Sequence, residues 1–121
     1  MSKTIKWLKK PKKKVYPAAR AYLSLTFGPS MAARLVKRLK RAKVRSIPAR
    51  DILRASHTPM AEVQTFDCMR QNKEIKKHRP LSPILLVCGT HGGTMVIADG
   101  FHRLCAAFAN DQDASVLFKL A

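Results

Sequence analysis

The first fifty residues contain no Asp and no Glu; the first acid is Asp51. That half carries 16 Lys and Arg, whereas residues 51–121 carry 8 against all 7 acids. The net charge of +17 therefore sits almost wholly in the front half, which has no acid of its own to offset it. Self-repulsion of that kind points to a polyanionic partner, with solubility alone as the plainer reading. Cysteine is scarce: Cys68, Cys88 and Cys105 form no C-x-x-C pair and are odd in number. This argues against a disulfide framework and against a structural zinc site, and for reduced thiols in a cytoplasmic protein. No apolar run approaches the roughly 20 residues of a membrane span. The lysine-rich start is followed by no apolar stretch, so no secretory signal is read. No internal repeat is visible, and 121 residues suffice for one domain with a modest core.

What is present falls into three parts. Residues 1–15, with "SKTIKWLKKPKKK", read as a basic flexible arm, because lysines cannot offset the ordering entropy of the chain. Lys9, Lys10, Lys12, Lys13 and Lys14 are its candidate phosphate contacts. Trp7 and Leu8 are the apolar exceptions, able to stack on a base or, the reading taken here, to dock on the domain.

Residues 16–42 read as a basic helical extension: "YPAARAYLSLTF" and "PSMAARLVKRLKRAK" flank Gly28-Pro29, with proline at first-turn positions and glycine past a helix end. In the second helix Met31, Leu35, Leu39 and Ala42 draw an apolar stripe, and Arg34, Lys37, Arg38 and Arg41 a basic one. Phosphates of DNA or RNA could meet the basic stripe, since such contacts need charge and not base identity. An ordinary solvated helix face would look the same.

Residues 43–121 read as the domain proper. "VRSI" is a short strand; Pro48 opens a helix with Ile52 and Leu53 inward, closed by Thr58-Pro59. A helical segment from Met60 to Lys77 follows, with Val63, Phe66, Cys68, Met69 and Ile75 as core contacts. Its last-turn Lys73, Lys76 and Lys77 complement the helix dipole. "ILLVC" and "TMVIA" around "GTHGG" predict an antiparallel hairpin. Phe101, Leu104, Cys105 and Phe108 recur at one helical face, and "ASVLFKL" is a closing strand. The fold class is α+β, a small mixed sheet with helices.

The turn from strand to helix gathers Asp99, Gly100, His102 and Arg103. A helix start offers amides without partners and partial positive charge, glycine permits close approach, and arginine is a forked cation. Gly100, His102 and Arg103 are thus the candidate phosphate or nucleotide ligands. Asp99 either caps the helix or turns outward to act with His102 on protons. A capped helix with Arg103 in a surface ion pair is the plain alternative. His57, His78 and His91 have no partner at metal-ligand spacing, and no metal site is read.

Taken together, "LSPILLV…GGTMVIADGFHRLCAAF…ASVLFKL", preceded by "VRSIPARDILRAS", resembles the ParB/sulfiredoxin superfamily over roughly residues 43–120. Members show an L-x-P-I strand, a hairpin, a Gly-x-x-Arg signature opening a helix, and a closing strand. The resemblance extends to short bacterial ParB-like proteins. It implies that fold, but several activities share it. Where sulfiredoxins carry their reactive cysteine this chain has Phe101, which argues against sulfinic acid reduction. Partition proteins hold CTP phosphates with a Gly-Glu-Arg-Arg-like stretch, of which Gly100 and Arg103 are kept; there is no room for their helix-turn-helix domain. Free serine kinases of this fold share Asp-Gly-x-His-Arg but use a glutamate near the first helix, where this chain offers Asp51. No cluster of carboxylates suits a two-metal nuclease.

The leading expectation is a nucleic-acid-binding ParB-like protein with a phosphate or nucleotide site at Asp99–Arg103. The alternatives are a small nucleotide-dependent enzyme (kinase, phosphatase or nuclease-like) using Asp99 and His102 with a nucleotide and Mg, and an adaptor docking an acidic protein.

Overall fold

The computed structural model describes residues 4–59, 69–89 and 93–121, with the side chain of Met69 left out. Among these residues the chain forms five helices and four strands. They are α1 (Val15–Phe27), α2 (Pro29–Arg41), β1 (Arg45–Pro48), α3 (Ala49–Ala55), α4 (Met69–Lys76), β2 (Ile84–Cys88), β3 (Met95–Asp99), α5 (Phe101–Asn110) and β4 (Ser115–Leu120). The strands make one open mixed sheet in the order β1-β4-β2-β3. β1–β4 and β2–β3 are antiparallel, and β2–β4 is parallel. The class is α+β. No described helix is long and apolar enough to cross a membrane.

Burial of β2 explains the layering. Ile84 and Leu86 point into one core with α3, α4 and α5, where Ile52, Leu53, Ile75, Leu104 and Val116 pack. Leu85 and Val87 point into a second core with Val15, Ala19 and Leu23 of α1 and Leu35, Val36 and Leu39 of α2. A strand covered on both faces must be apolar at successive positions, which is how "ILLV" reads. The pair α1–α2 is thus no extension. It closes one face of the sheet, so that the described residues build one core on each side of it.

Two further expectations, on the arm and on the stripe of α2, are corrected. The arm is docked: Leu8 N–H donates to Leu81 O at 2.8 Å, Leu81 N–H to Lys6 O at 2.8 Å, and Lys12 N–H to Ser82 Oγ at 3.0 Å. Ile5 and Trp7 pack against the α5-side core and Pro11 is buried, so a few apolar contacts, two backbone bonds and one bond to a side chain hold what lysine content alone would release. Trp7 Nε1 is buried with no hydrogen-bond partner among the described residues.

In α2 the buried face is Ala32, Leu35, Val36 and Leu39, while Met31 is 39% exposed. A spacing of four overshoots the 3.6-residue turn, so the stripe drifts and its first member leaves the core. In α5 the buried set is Leu104, Cys105, Ala106 and Ala107, with Phe101 and Phe108 half-buried at the margins. Cys88, at the end of β2, is exposed. Val63, Phe66, Cys68 and His91 lie outside the described residues.

Lys119 is 7% exposed and donates to Lys40 O at 3.1 Å. Its ammonium caps the carbonyl end of α2, where positive charge is favoured, and ties β4 to the helical layer. Its Nζ and that of Lys40 lie 5.8 and 5.6 Å from the Tyr16 ring centroid.

Candidate functional site

The junction of β3 and α5 is built around Gly100. Its φ of 105° and ψ of 19° are left-handed, so the chain reverses within one residue from strand into helix. The tight reversal brings Arg103, four residues after Asp99, back beneath the turn. A Cβ at Gly100 would come within 2.8 Å of both Arg103 Nη2 and Ile84 Cδ1.

Arg103 is held inward there. Its Nε donates to Ser82 O at 2.8 Å, and its Nη2 to Pro83 O at 3.3 Å and to Asp99 Oδ2 at 2.8 Å. Both side chains of the ion pair are 17% exposed. The reason lies in the Leu81–Pro83 stretch, which is buried yet largely irregular, so its carbonyls need donors that no strand supplies. A guanidinium, with five N–H groups in a fixed fork, meets two of those carbonyls and a carboxylate together.

Nε and Nη2 of Arg103, read from sequence as a phosphate ligand, are thus engaged by the chain's own acceptors. The Asp99 carboxylate, read from sequence as a cap or a proton carrier, faces Arg103 through Oδ2. Asp51, the other carboxylate considered, lies 3.6 Å from Arg54.

His102 is exposed and stands where two clefts meet. One, of about 760 Å³, is lined by Arg70, Gln71, Lys73 and Glu74 of α4, by Lys77 and Arg79 just past its end, and by His102. Four cations and one carboxylate give it a positive character. Arg70 also borders a smaller cavity of about 180 Å³ shared with Lys12, Lys14, Ser82, Asp99 and Arg103. The docked arm thereby joins the α4 cations in one basic surface. The second cleft, about 700 Å³, runs along β3 and is lined by no Lys or Arg among the described residues.

Of the residues named from sequence, Lys9, Lys10, Lys12, Lys13 and Lys14 are exposed, and so are Arg34, Lys37, Arg38 and Arg41. The α2 set lies on the helical layer across the sheet from α4, so the two groups are separate surfaces. Arg70, Lys73, Lys77 and Arg79 were not among the candidates. Their signal was legible: Arg70, Lys73 and Lys77 recur at three and four, one helical face, with Ile75 turned to the core. His102 joins this group, and Gly100, with no Cβ, leaves room for Arg103 Nη2 and Ile84 Cδ1 beside the turn. No cluster of three or more His, Cys, Asp or Glu that could hold a metal occurs among the described residues.

Comparison with protein-family models, with curated proteins and with solved structures finds no match to this chain.

Proposed function

We propose that this chain binds nucleic acid through phosphate contacts made by the α4 cleft and the docked arm, on a ParB/sulfiredoxin-like fold. The observation that carries the reading is the continuity of Lys12 and Lys14 with Arg70, and of Arg70 with Lys73, Lys77, Arg79 and His102 around an open cleft. Cations spaced along a helix face and an adjoining extended segment suit a sugar–phosphate backbone, and no base-reading element is required. The exposed α2 residues Arg34, Lys37, Arg38 and Arg41 supply a second, weaker set of contacts. In support of the fold stands the element order: the Leu-Ser-Pro-Ile entry to β2, the β2–β3 hairpin, Gly100 to Arg103 opening α5, and β4 closing between β1 and β2.

The phosphate or nucleotide site belongs beside His102 and the α4 cations, with Arg103 positioning the turn from below. The test is fluorescence anisotropy with DNA and RNA duplexes and single strands across a salt series. About six contacts from Lys12, Lys14, Arg70, Lys73, Lys77 and Arg79 give a log–log salt slope near −5. Lys73→Gln with Lys77→Gln lowers that slope by about 1.8. Affinity that does not change between about 50 and 200 mM salt would overturn the proposal.

A further inference from the structure

The two edges of the sheet are finished differently. β1 carries Pro48 and Arg45 at one edge, a residue without an N–H and a charge, both of which discourage another strand. β3, "MVIAD", forms the other edge, with no strand partner on its outer side among the described residues. Met95, Val96 and Ile97 are only half-buried, and nothing in their sequence guards the edge.

The edge also lies in a built groove. The 700 Å³ cleft has β3 along its length, Ala18 and Tyr22 of α1 on one flank, and Ser56 and Thr58 beyond α3 on the other. On α1, Ala18, Tyr22 and Leu25 recur at four and three, a stripe beside the buried Val15, Ala19 and Leu23. Tyr22 is 53% and Leu25 84% exposed, and both stand among the three large exposed hydrophobics of the described chain. An apolar helix wall beside an unpaired strand offers side-chain contact and backbone hydrogen bonds to the same extended occupant.

Charge identifies the occupant further. Among the described residues of the groove there is no Lys or Arg for phosphates, so nucleic acid is a poor fit. At its His102 end the groove meets the cleft ringed by Arg70, Lys73, Lys77 and Arg79. A second copy of this chain is also a poor fit, because two edges each lying between walls cannot approach one another as closely as strand pairing demands.

We propose that the β3 edge receives an extended peptide as a fifth strand. Its alternate apolar residues lie against Ala18 and Tyr22 of α1, and acidic residues past the His102 end meet the cations of the adjoining cleft. This interaction goes beyond the nucleic-acid reading and stands or falls separately from it, since its assay contains no nucleic acid.

The probe is a synthetic peptide of eight alternating valines and threonines flanked on both sides by four glutamates. It is titrated into the full chain by calorimetry, with hydrogen exchange of the Met95–Asp99 amides as the structural readout. Expected are saturable binding, slowed exchange in β3, and a loss of about tenfold or more when the core amides of the peptide are N-methylated. Tyr22→Asp, at an exposed position, weakens binding by a similar factor while leaving the circular dichroism unchanged.

The proposal is overturned by any of three results. One is equal binding of the N-methylated peptide or of glutamates joined by glycines. Another is no binding, or binding without protection of β3. The third is a dimer of the chain, seen by sedimentation, that Tyr22→Asp dissolves.

Discussion

If Arg103 is a clamp and not a ligand, its removal is felt first in stability. In Arg103→Ala the carbonyls of Ser82 and Pro83 and the Asp99 carboxylate lose donors at 2.8, 3.3 and 2.8 Å. Hydrogen bonds to charged groups contribute about 1.5–3 kcal/mol each, and buried acceptors left unpaired bear a desolvation cost. The 3.3 Å bond is the weakest, and 17% exposure lets water reach part of the site, so about 3 kcal/mol is expected in total. At roughly 2.1 cal/mol/K of unfolding entropy per residue, that lowers the melting midpoint of a chain this size by about 12 °C.

Thermal and urea unfolding followed by circular dichroism measure it. Arg103→Lys separates charge from geometry: one ammonium keeps the ion pair but cannot span both carbonyls, so most of the loss persists. A double-mutant cycle with Asp99→Asn isolates the ion pair at on the order of 1 kcal/mol. A midpoint for Arg103→Ala within about 2 °C of the parent refutes the clamp, and with it the assignment of phosphate binding to the α4 side.

Two more expectations share this logic. Gly100→Ala places a methyl group 2.8 Å from Ile84 Cδ1 and Arg103 Nη2 on backbone with φ of +105°, so a loss of about 2–4 kcal/mol is expected in urea titration, and a loss below about 0.5 kcal/mol contradicts the geometry. Residues 43–121 produced alone leave Leu85, Val87 and Ala98 uncovered, and burying the two larger side chains contributes about 1.5–3 kcal/mol each, which rivals a small domain's whole stability. That fragment should bind a hydrophobic dye and melt without a cooperative transition; a sharp melt would show that α1 and α2 are dispensable.

That last outcome bears on how much of the molecule could be read in advance. Strands and helices came through because their patterns are local: "ILLVC" is β2 residue for residue, and α5 begins at Phe101 as its spacing predicts. The layering was misread because charge was allowed to outweigh pattern. Lysine and arginine marked residues 16–42 as something apart, yet those cations occupy outer faces while Ala19, Leu23, Leu35 and Leu39 face the sheet. The correcting signal lay in another element. Four successive apolar residues from Ile84 to Val87 require cover on both faces, and the α1–α2 pair supplies it on the side of Leu85 and Val87.

The site was harder to read for a different reason. That Asp99, Gly100 and Arg103 belong together is visible from their spacing, but what Arg103 faces depends on the carbonyls of Ser82 and Pro83, about twenty residues earlier, in a buried stretch outside the strands. A forked cation at a turn is as able to serve a buried carbonyl as a phosphate. Sequence shows the donor; only packing shows which acceptor arrives first. Here the acceptors are the chain's own, and the cations that line an open cleft lie one helix away, along α4 and just past its end.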